Sequence, residues 1–113
     1  MWRHIEDFKK AFAALSRSNP GAADGLSGFM EAILAGGALD AKTKELIALA
    51  TAVTNGCEPC ITVHVQRSLA AGATRDEVFE AAGVAVLMGG VPALTRIVEV
   101  EKAVDEFAWR PSV

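Results

Sequence analysis

Scarcity sets the first limits on these 113 residues: two cysteines, two histidines and no surplus of basic charge. Eleven Lys and Arg stand against 14 Asp and Glu, a net charge of −3, and the pI is about 5.3. No basic stripe is available to follow a phosphate backbone or an anionic bilayer, so neither nucleic acid nor a membrane surface is an expected partner. Long apolar runs are missing too. The longest charge-free stretch, Ala81 to Thr95, is interrupted by Gly89, Gly90 and Pro92. It falls short of the ~18–20 apolar residues that span a bilayer. Met1-Trp2-Arg3-His4-Ile5-Glu6-Asp7 puts no apolar segment behind a basic start. No secretory signal is therefore expected, and a cytoplasmic location follows by default.

Strand signals are absent as well: no segment alternates apolar and polar residues around hairpin turn chemistry. Helical spacing takes their place, and the length suits one domain over 1–113. The reading is all-α, with about six helices. Ile5, Phe8, Phe12 and Leu15 mark the first, which stops at Ser18-Asn19-Pro20-Gly21. Leu26, Phe29, Met30, Ile33 and Leu34 give the second a stripe expected to be buried, ended by Gly36-Gly37 in the left-handed conformation. Asp40 is the expected N-cap of a third helix carrying Leu46, Ile47, Leu49, Ala50 and Val53 as far as Asn55-Gly56. A fourth begins at or just before Cys57 and runs to Gly72. Thr74-Arg75-Asp76-Glu77 fits a capping box for the fifth, which carries Val78, Phe79, Ala82, Val86 and Leu87. Pro92 fits the first turn of a sixth, with Leu94, Ile97, Val98, Val100 and Val104 leading to Phe107. The tail 110–113 is expected to fray, and Trp2 and Trp109 to pack on the body or on a neighbouring subunit.

Hydrophobic residues make up 51% of the chain and mean hydropathy is +0.29. A small helical chain cannot bury that much apolar surface alone, so self-association is expected.

The pair Cys57-Glu58-Pro59-Cys60 is where chemistry concentrates. A loop this short makes a poor structural staple, and a reducing cytosol favours catalytic over structural disulfides. At a helix start, unpaired N–H groups and the helix dipole favour thiolate over thiol, and thiolate is the nucleophile. The two sulfurs lie one turn apart on one face, within reach of a disulfide, and Pro59 stiffens that turn. His64, four residues after Cys60, stacks on the same face and can exchange protons with a sulfur. Glu45, on the preceding helix, adds a carboxyl able to pass protons.

Together these residues give Glu-x11-Cys-x2-Cys-x3-His. The pattern resembles the alkylhydroperoxidase D and carboxymuconolactone decarboxylase family. The flanking segments Thr43-Lys44-Glu45-Leu46-Ile47-Ala48-Leu49-Ala50, Asn55-Gly56-Cys57, Ala71-Gly72-Ala73-Thr74 and Val86-Leu87-Met88-Gly89-Gly90 are similar too, over a core of roughly residues 22–108. The resemblance implies an oligomeric helical fold, often a trimer or hexamer, and thiol-dependent reduction of hydroperoxides. By resemblance Cys60 is the peroxidatic nucleophile and Cys57 the resolving thiol, and Glu45 and His64 relay protons. A thioredoxin-like or lipoyl dithiol protein would act as reductant, with no cofactor beyond the redox-active Cys57–Cys60 disulfide and no metal. Pro59 stands where alkylhydroperoxidase D has a second His, which shortens the relay. By resemblance the decarboxylase branch does not use such a pair, so its presence argues against lactone decarboxylation, and lactone processing on the same scaffold stands only as an alternative. A non-catalytic, redox-sensing oligomeric binding module is another.

Plainer readings compete. The cysteines could be inert core residues. His64 could bond a backbone carbonyl, and Glu45 could sit exposed beside Lys42 and Lys44. Zinc could take Cys57, Cys60 and His64, although the chain holds only His4 besides and no third Cys. A thioredoxin-like domain would need a preceding strand. Gly89-Gly90 reads better as an interhelical turn than as an anion loop, because no Lys, Ser or Thr follows at phosphate-binding spacing.

Overall fold

Seven helices and no strand are found among the described residues, 2–108, of the computed structural model. They are α1 (Trp2–Ser18), α2 (Pro20–Leu34), α3 (Ala41–Asn55), α4 (Glu58–Ala70), α5 (Arg75–Gly89), α6 (Val91–Thr95) and α7 (Ile97–Ala108). The side chain of Trp2, Trp109 and the tail 110–113 lie outside the described residues.

Local chemistry sets most boundaries. Asn19 caps α2 by accepting the Ala22 N–H at 3.1 Å, and Pro20 follows in the first turn, where a missing N–H costs nothing. Asp40 caps α3 through the Thr43 N–H at 2.8 Å. The Thr43 hydroxyl, followed by the Thr43 backbone N–H, holds the Asp40 carboxyl below the ordinary range. The Thr74–Glu77 capping box is present in both directions. Pro92 falls in the first turn of α6, and Gly90, with φ +72°, makes the turn from α5.

The core lies where α3, α4, α5 and α7 meet. Leu49 and Val53 pack with Ile61 and Val65, with Val78 and Ala82, and with Val100, Ala103 and Val104, all buried. α3 packs on α4 and α5, α7 on α4, and the α1–α2 pair reaches the body mainly where α1 rests on α4. α3 and α4 thus share the centre of the molecule, and the dithiol lies at the joint between them.

Three expectations need correction. The α2 stripe is not buried: Leu26, Phe29 and Ile33 are exposed, and Ala23 is the helix's buried residue. Ile47, Leu87, Leu94 and Val98 are exposed as well, because the apolar faces of their helices turn partly away from the core. Gly36 and Gly37 do not adopt positive φ. α2 instead ends in extended Ala35, and the Lys44 ammonium caps it by donating to the Ile33 and Ala35 carbonyls at 2.9 and 2.6 Å. Finally, the sixth helix is two. At Arg96 the backbone turns, and its guanidinium donates to the Val53 and Thr54 carbonyls at the end of α3, at 2.8 and 3.1 Å.

Candidate active site

The joint between α3 and α4 is built by two residues with special backbones. Gly56 ends α3 at φ +79°, a left-handed conformation that L side chains adopt at a cost. A Cβ there would also lie 2.7 Å from the Arg96 guanidinium carbon, so glycine serves both the turn and the close approach of Arg96. Cys57 follows in extended conformation as the N-cap of α4. Its Sγ accepts the Cys60 N–H at 3.3 Å, which places this sulfur on the open N–H groups of the helix start. Glu58 and Pro59 occupy the first turn. Cys57 and Cys60, with Cα atoms 5.2 Å apart, are joined as a disulfide.

His64 stands on α4 as its spacing implies. It lines, with both cysteines, a cavity of about 320 Å³ whose other wall is α3, including Ala48, Thr51 and Ala52. Behind the ring, His64 Nδ1 lies 2.9 Å from Glu45 Oε1. With Nδ1 engaged, the ring nitrogen left for proton exchange is Nε2. Glu45 is only 4% exposed. Burial of a lone carboxylate is costly, and here it is offset by two contacts: the His64 ring, and the Arg67 Nε–H, which donates to Oε2 at 2.8 Å.

These contacts decide between the plainer readings. Lys42 pairs with Glu77 at 2.8 Å and Lys44 caps α2, so neither holds Glu45 at the surface. The Nδ1 partner of His64 is a carboxylate, not a backbone carbonyl. The structure thus brings together all four expected residues: Cys57, Cys60 and His64 around one cavity, and Glu45 behind the imidazole. Arg67 is the member that sequence reasoning missed. Its signal was available, since it follows His64 by three residues and shares that face of α4.

The second histidine lies elsewhere. His4 Nε2 is 3.7 Å from Glu58 Oε2. His4, Glu58 and Glu99 bring three potential ligand atoms within 4.8 Å of one another, drawn from α1, α4 and α7. The sulfurs offered to zinc in the sequence reading are bonded to each other here.

A disulfide at a helix start, backed by an imidazole and a buried carboxylate in an all-helical body, defines a small helical dithiol protein. More particularly, residues 20–103 match the model of the carboxymuconolactone decarboxylase family, and the chain belongs to that family. A carboxymuconolactone decarboxylase family protein of Legionella pneumophila superposes with a TM-score of 0.90 at 39% identity, over 95% of this chain and 96% of that one. A Thermotoga maritima family protein, for which involvement in an antioxidative response has been suggested, gives 0.83 at 26% identity, over 94% and 90%. The alkyl hydroperoxide reductase AhpD of Corynebacterium kroppenstedtii is 38% identical over 53 residues, 47% of this chain but only 30% of that protein.

Proposed function

We propose that the protein is a thiol-dependent oxidoreductase that reduces organic hydroperoxides through Cys57 and Cys60. The observation that carries this reading is the shared cavity of Cys57, Cys60 and His64, with Glu45 bonded behind the imidazole. The likeness to a named alkyl hydroperoxide reductase over 53 residues supports it.

In the proposed cycle the Cys60 thiol gives its proton to His64 Nε2. The thiolate attacks the outer peroxide oxygen: an S–O bond forms, the O–O bond breaks, and the alkoxide leaves as alcohol with the proton returned by His64. Cys60 is now a sulfenic acid. Cys57 attacks its sulfur, the S–S bond forms and water departs. A dithiol protein, thioredoxin-like or lipoyl-bearing, then returns two electrons by thiol–disulfide exchange. Glu45 holds the imidazolium between these steps.

A second reading has its own observation. Cys57, not Cys60, accepts the helix-start N–H, which favours Cys57 as the thiolate in exchange with protein disulfides. Trapping separates the two. The reduced Cys57→Ser variant, exposed to cumene hydroperoxide, should accumulate a sulfenic acid on Cys60, and Cys60→Ser should be inert. The reverse pattern would make Cys57 the attacking sulfur. Lactone turnover that survives loss of both cysteines would move the assignment to decarboxylation.

We further propose that the chain works as a homo-oligomer, a trimer or hexamer, in the cytoplasm. Exposed Phe29, Leu87, Met88 and Val91 support self-association. No helix among the described residues is long and apolar enough to cross a membrane.

A further inference from the structure

The polar residues behind the dithiol form a short chain with a cation at its far end. Arg67 and His64 reach the same face of α4 one turn apart, and both converge on Glu45 of α3. Each carboxylate oxygen has one partner: Oε1 meets His64 Nδ1 at 2.9 Å and Oε2 accepts from Arg67 Nε at 2.8 Å. The last torsion of a glutamate is soft and roughly two-fold. A carboxylate bonded through one oxygen can rock away from its partner; one bonded through both cannot. A carboxylate accepts only, so its contact with the neutral ring requires the proton on Nδ1 and leaves Nε2 with a free lone pair. A ring released from Glu45 could place its proton on Nε2 instead, and that form cannot take a proton from a thiol. The ionisable groups around His64 are Glu45 from α3, Arg67 from its own helix, and Cys57 and Cys60 at the start of that helix.

We propose that Arg67 is a positioning residue of the dithiol site: by fixing both oxygens of Glu45 it selects the Nδ1–H form of His64 and holds Nε2 as the base facing the two sulfurs. The role is that of an outer partner orienting a working imidazole. Half exposed, Arg67 does not fill the core, so its part lies in the bond it donates. The assignment deepens the redox reading and rests on it for its rate consequence. The tautomer consequence can be measured without any substrate.

The test compares Arg67→Met and Arg67→Lys with the parent in the full chain, reduced, at a pH where His64 is neutral. Nitrogen-15 shifts of the His64 ring report the tautomer, and thiol loss with cumene hydroperoxide reports the rate. The parent should show a protonated Nδ1. Arg67→Met should show a mixture containing protonated Nε2, with oxidation slowed about 10-fold. Arg67→Lys keeps the charge but not the directional Nε donor, and should restore folding without restoring the tautomer. In a Glu45→Gln background, Arg67→Met should change neither readout further. An unchanged tautomer in Arg67→Met, or full rescue by lysine in both readouts, would overturn the proposal. Should Arg67→Met fail to fold, Arg67→Lys alone still decides. A shifted tautomer in Arg67→Met, beside a parent that keeps Nδ1 protonated but is oxidised sluggishly by peroxide, would support the role of Arg67 while removing the peroxidase reading.

Discussion

The joint of α3 and α4 and the outer faces of α2, α5 and α6 invert the usual distribution of side chains. Inside, a carboxylate at 4% exposure is held by an imidazole and a guanidinium. Outside, Phe29 is 64% exposed, Met88 75% and Leu87 80%. Neither arrangement favours the stability of a lone chain. A buried ion pair is at best a modest stabiliser, and apolar side chains in water gain nothing. The contrast fits the proposed function, in which the two departures answer different demands: a reaction at the joint, and a second copy of the chain at the rim.

The strongest way to break the comparison is to make the rim polar. Leu87→Asp combined with Met88→Asp should convert an oligomer to monomer in sedimentation velocity at micromolar concentration. A parent that sediments as a monomer would remove the second-copy account of the rim. At the joint, His64→Asn should leave the helices intact and slow thiol oxidation by hydroperoxide by roughly 10²–10⁴-fold, the usual worth of a positioned acid–base group. A slowing of less than threefold would leave the imidazole without a role.

Much of this contrast was legible in the sequence, for reasons that vary by residue. Asp40, Thr74 and Asn55-Gly56 act through local chemistry, so their capping and turn roles could be read directly. The spacing of Cys57, Cys60 and His64 along one helix, and of Glu45 on its neighbour, carried the site. Periodicity marked Phe29 and Leu87 as apolar positions, but it cannot say whether the same chain or another covers them. The break at Arg96 has no Pro or Gly to announce it. It depends on carbonyls of α3 more than 40 residues earlier. Lys44 likewise ends α2 from the next helix, a contact no local pattern encodes.

Two smaller effects sharpen the picture. Gly56→Ala should cost about 1–2 kcal/mol of unfolding free energy, read as a lowered denaturant midpoint, because an L residue must take the left-handed conformation against the Arg96 guanidinium. An unchanged midpoint would mean that the turn relaxes freely and does not fix the place of Cys57. The smallest effect belongs to the half-buried pair Lys42–Glu77. The Lys42 ammonium, followed by the Thr74 backbone, holds the Glu77 carboxyl below its ordinary 4.5. Its stabilisation is therefore present above that value and is lost as pH falls through the lowered one. Lys42 is raised above 10.5 by the same contact, and its share is lost only as pH rises beyond that. Thermal melts from pH 7 to pH 3 should show a slightly shallower decline for Glu77→Gln than for the parent. Parallel curves would show that the pair contributes nothing to the acid response.

The most direct test of the central claim is a single turnover. The fully reduced protein is mixed with one equivalent of cumene hydroperoxide, and thiols and product alcohol are followed together. The account predicts the loss of two thiols per chain, one equivalent of alcohol and a Cys57–Cys60 disulfide, at a rate well above that of glutathione under the same conditions. Thiols that react no faster than glutathione would contradict it.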